Sequence, residues 1–221
     1  FRRMKSDIDY SFTEDGHGGI LNSLKRLEEL IDIENEITTI KEGFYHYEYK
    51  IYPQIAIREA LLNAFVHRDY SSFGGIMIKQ YKNSLEIGNP GRLLGGITLE
   101  NIIYHEPISR NKLLVEVLQK IGLVNRSNLG IRRIFDSFLK EGKEVPSIEL
   151  LGETFKIIFG AQNLNFEIFD FIRRLESQGL EINIDTLYCL NHLKKYNKLS
   201  KEEVKDILPT NVEYRYLETI K

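Results

Sequence analysis

Residues 58 to 70 read REALLNAFVHRDY, a run that is apolar at Ala60, Leu61, Leu62, Ala64, Phe65 and Val66 but interrupted by Arg58, Glu59, Asn63 and His67. Positions 59, 63 and 67 are four apart, so on a helix a carboxylate, an amide and an imidazole stack along one narrow stripe. A carboxylate and an imidazole exchange protons, and an amide both donates and accepts hydrogen bonds. Burying such groups unpaired costs roughly 1 to 3 kcal/mol each, and more for a charge. The stripe therefore faces something polar: another element's side chains, water, or a ligand.

The elements around it follow from periodicity. The helix over about 53 to 67 has Pro53 at its first position and is apolar around most of its circumference, which predicts burial. Upstream, residues 1 to 15 suit an edge strand or two. Gly16, Gly18 and Gly19 punctuate the chain, and Ile20, Leu21, Leu24, Leu27, Leu30 and Ile31 recur at helical spacing. Residues 38 to 52 alternate aromatic and polar letters, a strand signal. Downstream, strands at 75 to 81 and 84 to 88 flank a Lys82-Asn83 turn, and a Gly-Asn-Pro-Gly break follows. Helices are expected over 98 to 106 and 112 to 121, joined by a loop holding Pro107. Another is expected over 131 to 139, with strands at 147 to 151 and 154 to 159. This is an α+β unit with helices covering one face of an antiparallel sheet.

Beyond residue 163 the pattern turns helical. A connecting helix from Phe166 ends at Gly179, and three short helices follow at 184 to 196, 200 to 207 and 210 to 220. Ser200 and Glu203 form a capping-box signature. Ile184, Leu187, Leu190, Leu193, Val204, Ile207, Leu208, Leu217 and Ile220 suit a small three-helix core. The segment resembles a helix-turn-helix, with 210 to 220 in the recognition position; the alternative is a small helical accessory domain. Basic and acidic residues balance there, a weak footprint for DNA.

Composition bounds the rest. At 221 residues and 42% hydrophobic content the chain can form one domain or two. A net charge of -2 gives no global attraction to nucleic acid. The single cysteine, Cys189, excludes an internal disulfide or cysteine-rich zinc site and reads as a packed thiol. No apolar run approaches the ~20 residues of a membrane span, and no signal peptide opens the sequence, so a cytoplasmic protein is expected. A start at Phe1 suggests a fragment with a further domain upstream.

The order of motifs adds a resemblance. YPQIAIREALLNAFVHRDYS, LEIGNPGRL, RNKLLVEVLQKIGLV and GIRRIFDSF look like the ATP-binding domain of the gyrase, histidine kinase and MutL superfamily, the GHKL or Bergerat fold. Within it they look like the C-terminal domain family of RecG-type ATP-dependent DNA helicases, found in bacterial transcriptional regulators with an AlbA-type (Schlafen-like) domain upstream. The helicase label does not transfer, because the chain has no G-x-x-x-x-G-K-[ST] phosphate loop.

The resemblance implies a layered mixed sheet with helices on one face, and roles for individual residues. Glu59 matches the general base, and Asn63 the Mg²⁺ ligand, a neutral oxygen suited to a hard ion. His67 and Arg68 either donate to phosphates or sit as a solvated helix end. Asn89 stands where an aspartate normally accepts the adenine amino proton; its oxygen can accept the same bond, less strongly. Gly91 would let backbone approach the base. Arg110 either reaches the triphosphate or makes a structural salt link. Gly130 closes the second glycine box, which departs from the pattern: Asn128 replaces a glycine and Leu129 a small residue.

The expectation is an ATP-binding domain over 1–162 and a helix-turn-helix-like segment over 163–221 in a homodimeric regulator. Nucleotide and Mg²⁺ would act as a conformational switch with slow hydrolysis, and DNA would bind through 184–221. The alternative is a degenerate scaffold for dimerisation and interaction that binds no nucleotide.

Overall fold

The computed structural model describes residues 1–16, 18–42, 44–124, 129–200 and 203. In chain order they form β1 (Arg2–Met4), β2 (Tyr10–Thr13), α1 (Ile20–Asp32), β3 (Ile37–Glu42), β4 (Tyr45–Lys50) and α2 (Gln54–His67). Then come β5 (Met77–Gln80), β6 (Ser84–Pro90), α3 (Lys112–Lys120), α4 (Gly130–Lys140), β7 (Ser147–Leu151) and β8 (Thr154–Gly160), followed by α5 (Phe166–Ser177) and α6 (Ile184–Tyr196). Six strands form one sheet in the order β2-β1-β5-β6-β8-β7. The sheet is mixed rather than purely antiparallel, because β1 runs parallel to β5.

Two-residue alternation sets which strand residues face the helices. Leu85 and Ile87 of β6, with Ile157 and Phe159 of β8, enter the core shared with Ile57, Ala60 and Leu61 of α2 and Ile134 and Phe138 of α4. The intervening Glu86 and Lys156 pair across the other face at 3.5 Å. Helix α2 is buried through Ala56, Ile57, Ala60, Leu61, Leu62, Ala64 and Val66, as its sequence requires. Its second side packs Leu62 and Val66 against Val115 and Leu118 of α3.

Four expectations need correction. Residues 38 to 52 are a hairpin, β3 paired antiparallel with β4 in a separate two-stranded sheet. Alternation reads the same through a tight reversal, so it marked strand without marking the turn. No helix forms over 98 to 106, where the described backbone makes turns. There the Asn101 side chain accepts from Thr98 N and donates to the Gly96 carbonyl, competing with helix bonds, and Pro107 follows closely. The Asn89-Pro90 stretch is strand, still paired with Phe155 and Thr154; β5 stops opposite Gly88, so Pro90 has no strand on that side. The first residues supply two strands, β2 at the sheet edge and β1 inside it. Pro53 precedes the helix as its N-cap residue.

Helices α5 and α6 add Ile168, Ile172, Ile184 and Leu187 to the same core. The Asn191 amide donates to the Leu139 carbonyl at 2.9 Å, fixing α6 to the end of α4. Lys143, 1% exposed, donates to the carbonyls of Lys50 and Ile51 and pairs with Glu141. It holds the β4 exit against the end of α4. At Ser200 and Glu203 the reciprocal capping-box bonds form, at 2.7 and 3.1 Å. The expected recognition helix over 210 to 220 lies outside the described residues.

Candidate functional site

The core face of the sheet, α2, α4 and the connection from Gly91 to Asn111 enclose a cleft of about 980 Å³, counting its open mouth. Its floor is Ile87, Asn89, Phe155 and Ile157, all on the core-facing parity of β6 and β8. Ala60 and Ala64 of α2 form one wall, and Ile97, Ile103 and Ile108 cover it. Beside this apolar half lies a more polar one of about 470 Å³, again counting its open mouth, where Glu59, Asn63, His67, Ser109 and Arg133 share the walls with Leu62, Val66, Val115 and Leu129. Asn63, His67, Leu129 and Gly130 line both halves, while Asn89 lines only the first and Glu59 only the second. Apolar surface with a few convergent polar groups is the usual make-up of a small-molecule site.

Asn89 is 3% exposed, and its Nδ2 donates to the Pro90 carbonyl at 3.1 Å. That bond uses the amide nitrogen and leaves the oxygen as the acceptor end of a side chain that lines the cleft. Neighbouring backbone is held by bonds from Asp69 N to the Pro90 carbonyl, 2.7 Å, and from Gly91 N to the Glu153 carbonyl, 2.6 Å. Gly91 has φ +137°, and a Cβ there would stand 2.8 Å from the His67 carbonyl oxygen. The close approach this glycine serves is thus to the end of α2.

Along α2 the polar stripe turns toward the cleft. Glu59 Oε1 accepts from Arg133 Nη1 at 3.0 Å. Asn63 Nδ2 is buried with no hydrogen-bond partner among the described residues. It is a donor awaiting an acceptor such as water or a phosphate oxygen. A half-turn of the amide, which the two similar ends permit, presents Oδ1 to a cation instead. Burial, then the Arg110 charge, lowers the His67 pKa, so its imidazole is neutral at pH 7. Among the described residues no group of three or more His, Cys, Asp or Glu could hold a metal. A Mg²⁺ held by Asn63 would draw its other ligands from phosphates and water, as that ion usually does.

Two expected residues lie elsewhere. Arg68 follows the helix in extended conformation, with ψ 136°, donates to the Gly74 carbonyl at 3.0 and 3.2 Å, and covers the Tyr70 ring. It lines neither half. Arg110 donates to the Arg92 carbonyl at 2.9 Å and lies 3.8 Å from Asp69, the structural link of the two alternatives. Asn111 ties the same junction, donating to the carbonyls of Val66 and Arg68 at 2.8 Å each, and so completes the C-terminal end of α2. Of the glycine-box residues, Leu129 is 43% exposed and Gly130 opens α4; Asn128 is outside the described residues.

Sequence reasoning missed Arg133, Ser109 and Tyr104. The Tyr104 hydroxyl donates to Asp185 Oδ1 of α6 at 2.5 Å. Burial, then that carboxylate, pushes the phenol well above its ordinary range. Ile103, its neighbour, lines the cleft, so one turn touches both the cleft and α6.

Among the described residues no helix is long and apolar enough to cross a membrane. No curated protein matches the chain. Among solved structures the chain is similar in fold to the DIP2311 protein from Corynebacterium diphtheriae, with a TM-score of 0.78 and 20% identity over 94% of this chain and 43% of that one. It therefore spans less than half the length of that protein. A family model described as "Putative ATP-dependent DNA helicase recG C-terminal" matches residues 74–159, which hold Asn89, Gly91, Arg110 and Gly130 and begin after α2. The architecture is α+β with a mixed sheet, and the similarity of residues 74–159 to this ATPase-like family is a coarse indication of nucleotide binding.

Proposed function

We propose that the chain is the ATP-binding module of a DNA-binding transcriptional regulator, with the nucleotide acting as a conformational ligand. The observation that carries this reading is the bipartite cleft: an apolar half with one presented acceptor at Asn89, continuous with a polar half walled by Glu59, Asn63, Ser109 and Arg133. The first suits a purine base and the second its phosphates. Mg²⁺, bound through Asn63, would supply charge neutralisation at the phosphates. Glu59, bonded to Arg133 in the absence of nucleotide, would take the proton of an attacking water. The Tyr104–Asp185 bond supports a switching role, since it connects the cleft's cover to α6, through which the segment 184–221 would contact DNA.

The test is calorimetry with ATP and Mg²⁺. Binding is expected, weakened about three- to tenfold in Asn89→Ala, the worth of one hydrogen bond. Glu59→Ala should keep binding and lose turnover, and Asn63→Ala should lose the Mg²⁺-dependent part. An absence of both heat and thermal shift at millimolar nucleotide would sink the reading. It would favour instead a scaffold without nucleotide, for which the bulky Leu129 at the junction of the two halves speaks.

A further inference from the structure

The polar half holds two charged side chains among its described walls, Glu59 and Arg133, and they are bonded to each other. His67 adds no charge there at neutral pH, because burial and Arg110 keep its imidazole unprotonated. An anion entering this half meets a carboxylate that repels it and a single guanidinium already held by that carboxylate. The one side-chain positive charge among these described walls can meet it when the guanidinium is drawn toward the anion. A guanidinium is a planar fork of five N–H donors whose geometry matches phosphate as well as carboxylate, so the exchange loses little in bond quality. Two further donors line the same space: Asn63 Nδ2, which has no hydrogen-bond partner among the described residues, and the N-terminal end of α4 at Gly130.

The order of residues along the cleft says which phosphate is involved. Asn89 marks the base end, Asn63 and Gly130 stand at the junction, and Glu59 and Arg133 line only the far end. We propose that Arg133 is the specificity residue for the terminal phosphate, exchanging Glu59 for the third phosphate of a bound triphosphate, so that the cleft distinguishes nucleoside triphosphate from diphosphate. This rests on the nucleotide-binding reading above. In the resting state Glu59 holds the guanidinium in place; a triphosphate frees the carboxylate, and a diphosphate, too short to reach, leaves the pair intact.

The experiment is calorimetry on the whole chain with the β,γ-imido analogue of ATP and with ADP, each with Mg²⁺, alongside thermal melts showing that every variant folds. The unmodified chain should prefer the triphosphate. Arg133→Gln should weaken the triphosphate by about tenfold or more, the loss expected for hydrogen bonds to a charged group. ADP binding should change by less than about threefold. Arg133→Lys, which keeps the charge but not the fork, should fall between. Glu59→Gln, which removes the competitor, should preserve or increase the triphosphate preference. Equal losses for both nucleotides in Arg133→Gln, or no loss, would overturn the proposal while leaving the nucleotide reading standing. Failure of the unmodified chain to take up either nucleotide would overturn both.

Discussion

Gly130 opens α4 directly against the Asn63 side chain: a methyl group on its α-carbon would stand 2.8 Å from Oδ1 and 2.9 Å from Nδ2. Real Cβ atoms essentially never approach that closely, so the glycine sets where the amide can rest. The requirement is steric, since it arises from a side chain of α2 rather than from a positive φ at Gly130.

Gly130→Ala should therefore displace Asn63 and weaken Mg²⁺-dependent nucleotide binding by about fivefold or more. Stability should change by less than ~1 kcal/mol, because alanine's better helix propensity offsets part of the crowding. Titration calorimetry with and without Mg²⁺ checks the first part and urea denaturation the second. Unchanged binding would show that the amide does not contribute to the site.

Tyr104→Phe removes the hydroxyl that reaches Asp185 and leaves the ring. One lost hydrogen bond predicts a destabilisation of about 1 kcal/mol. The more informative measurement is hydrogen exchange: amides of residues 98–105 and of the first turn of α6 should lose protection together. Loss in one region alone would argue against a mechanical link.

His67 gives a pH dependence. Its folded pKa lies below the ordinary value of 6.5, so between the two values the unfolded chain binds more protons. Its contribution is complete above 6.5 and is lost as pH falls toward the folded pKa. Urea denaturation from pH 7.5 to 5.5 should show the unmodified chain losing stability faster than His67→Gln, by at most about 1.4 kcal/mol per pH unit. Parallel curves would remove His67 as the source.

The parts of the site legible in the sequence were those governed by local spacing. Glu59, Asn63 and His67 lie on one helix, and the alternation through Leu85 and Ile87 puts Asn89 on the same side of the sheet. Arg68 was misplaced because the helix ends at His67, and an extended ψ at the next residue turns the side chain away. Arg133 was missed because its partner is on another helix, 74 residues earlier, and no periodicity connects the two. The turns at 98 to 105 were missed because Asn101 supplies from its side chain the bonds a helix would take from backbone. Sequence patterns report which face is buried; they carry little about which polar partner a side chain finds across the fold.

Two of the bonds that hold helix α6 come from opposite sides of the cleft: Asp185 accepts from Tyr104 of its cover, and Asn191 donates to the Leu139 carbonyl near the end of α4. The two anchor points span six residues, about 9 Å of helix. A helix pinned this way behaves as a strain gauge. If cover and α4 move together, α6 travels with them unchanged; if their separation alters, α6 must tilt or release an anchor. On the switching proposal, what reaches the residues beyond Tyr196 would then be the width of the cleft, whatever fills it.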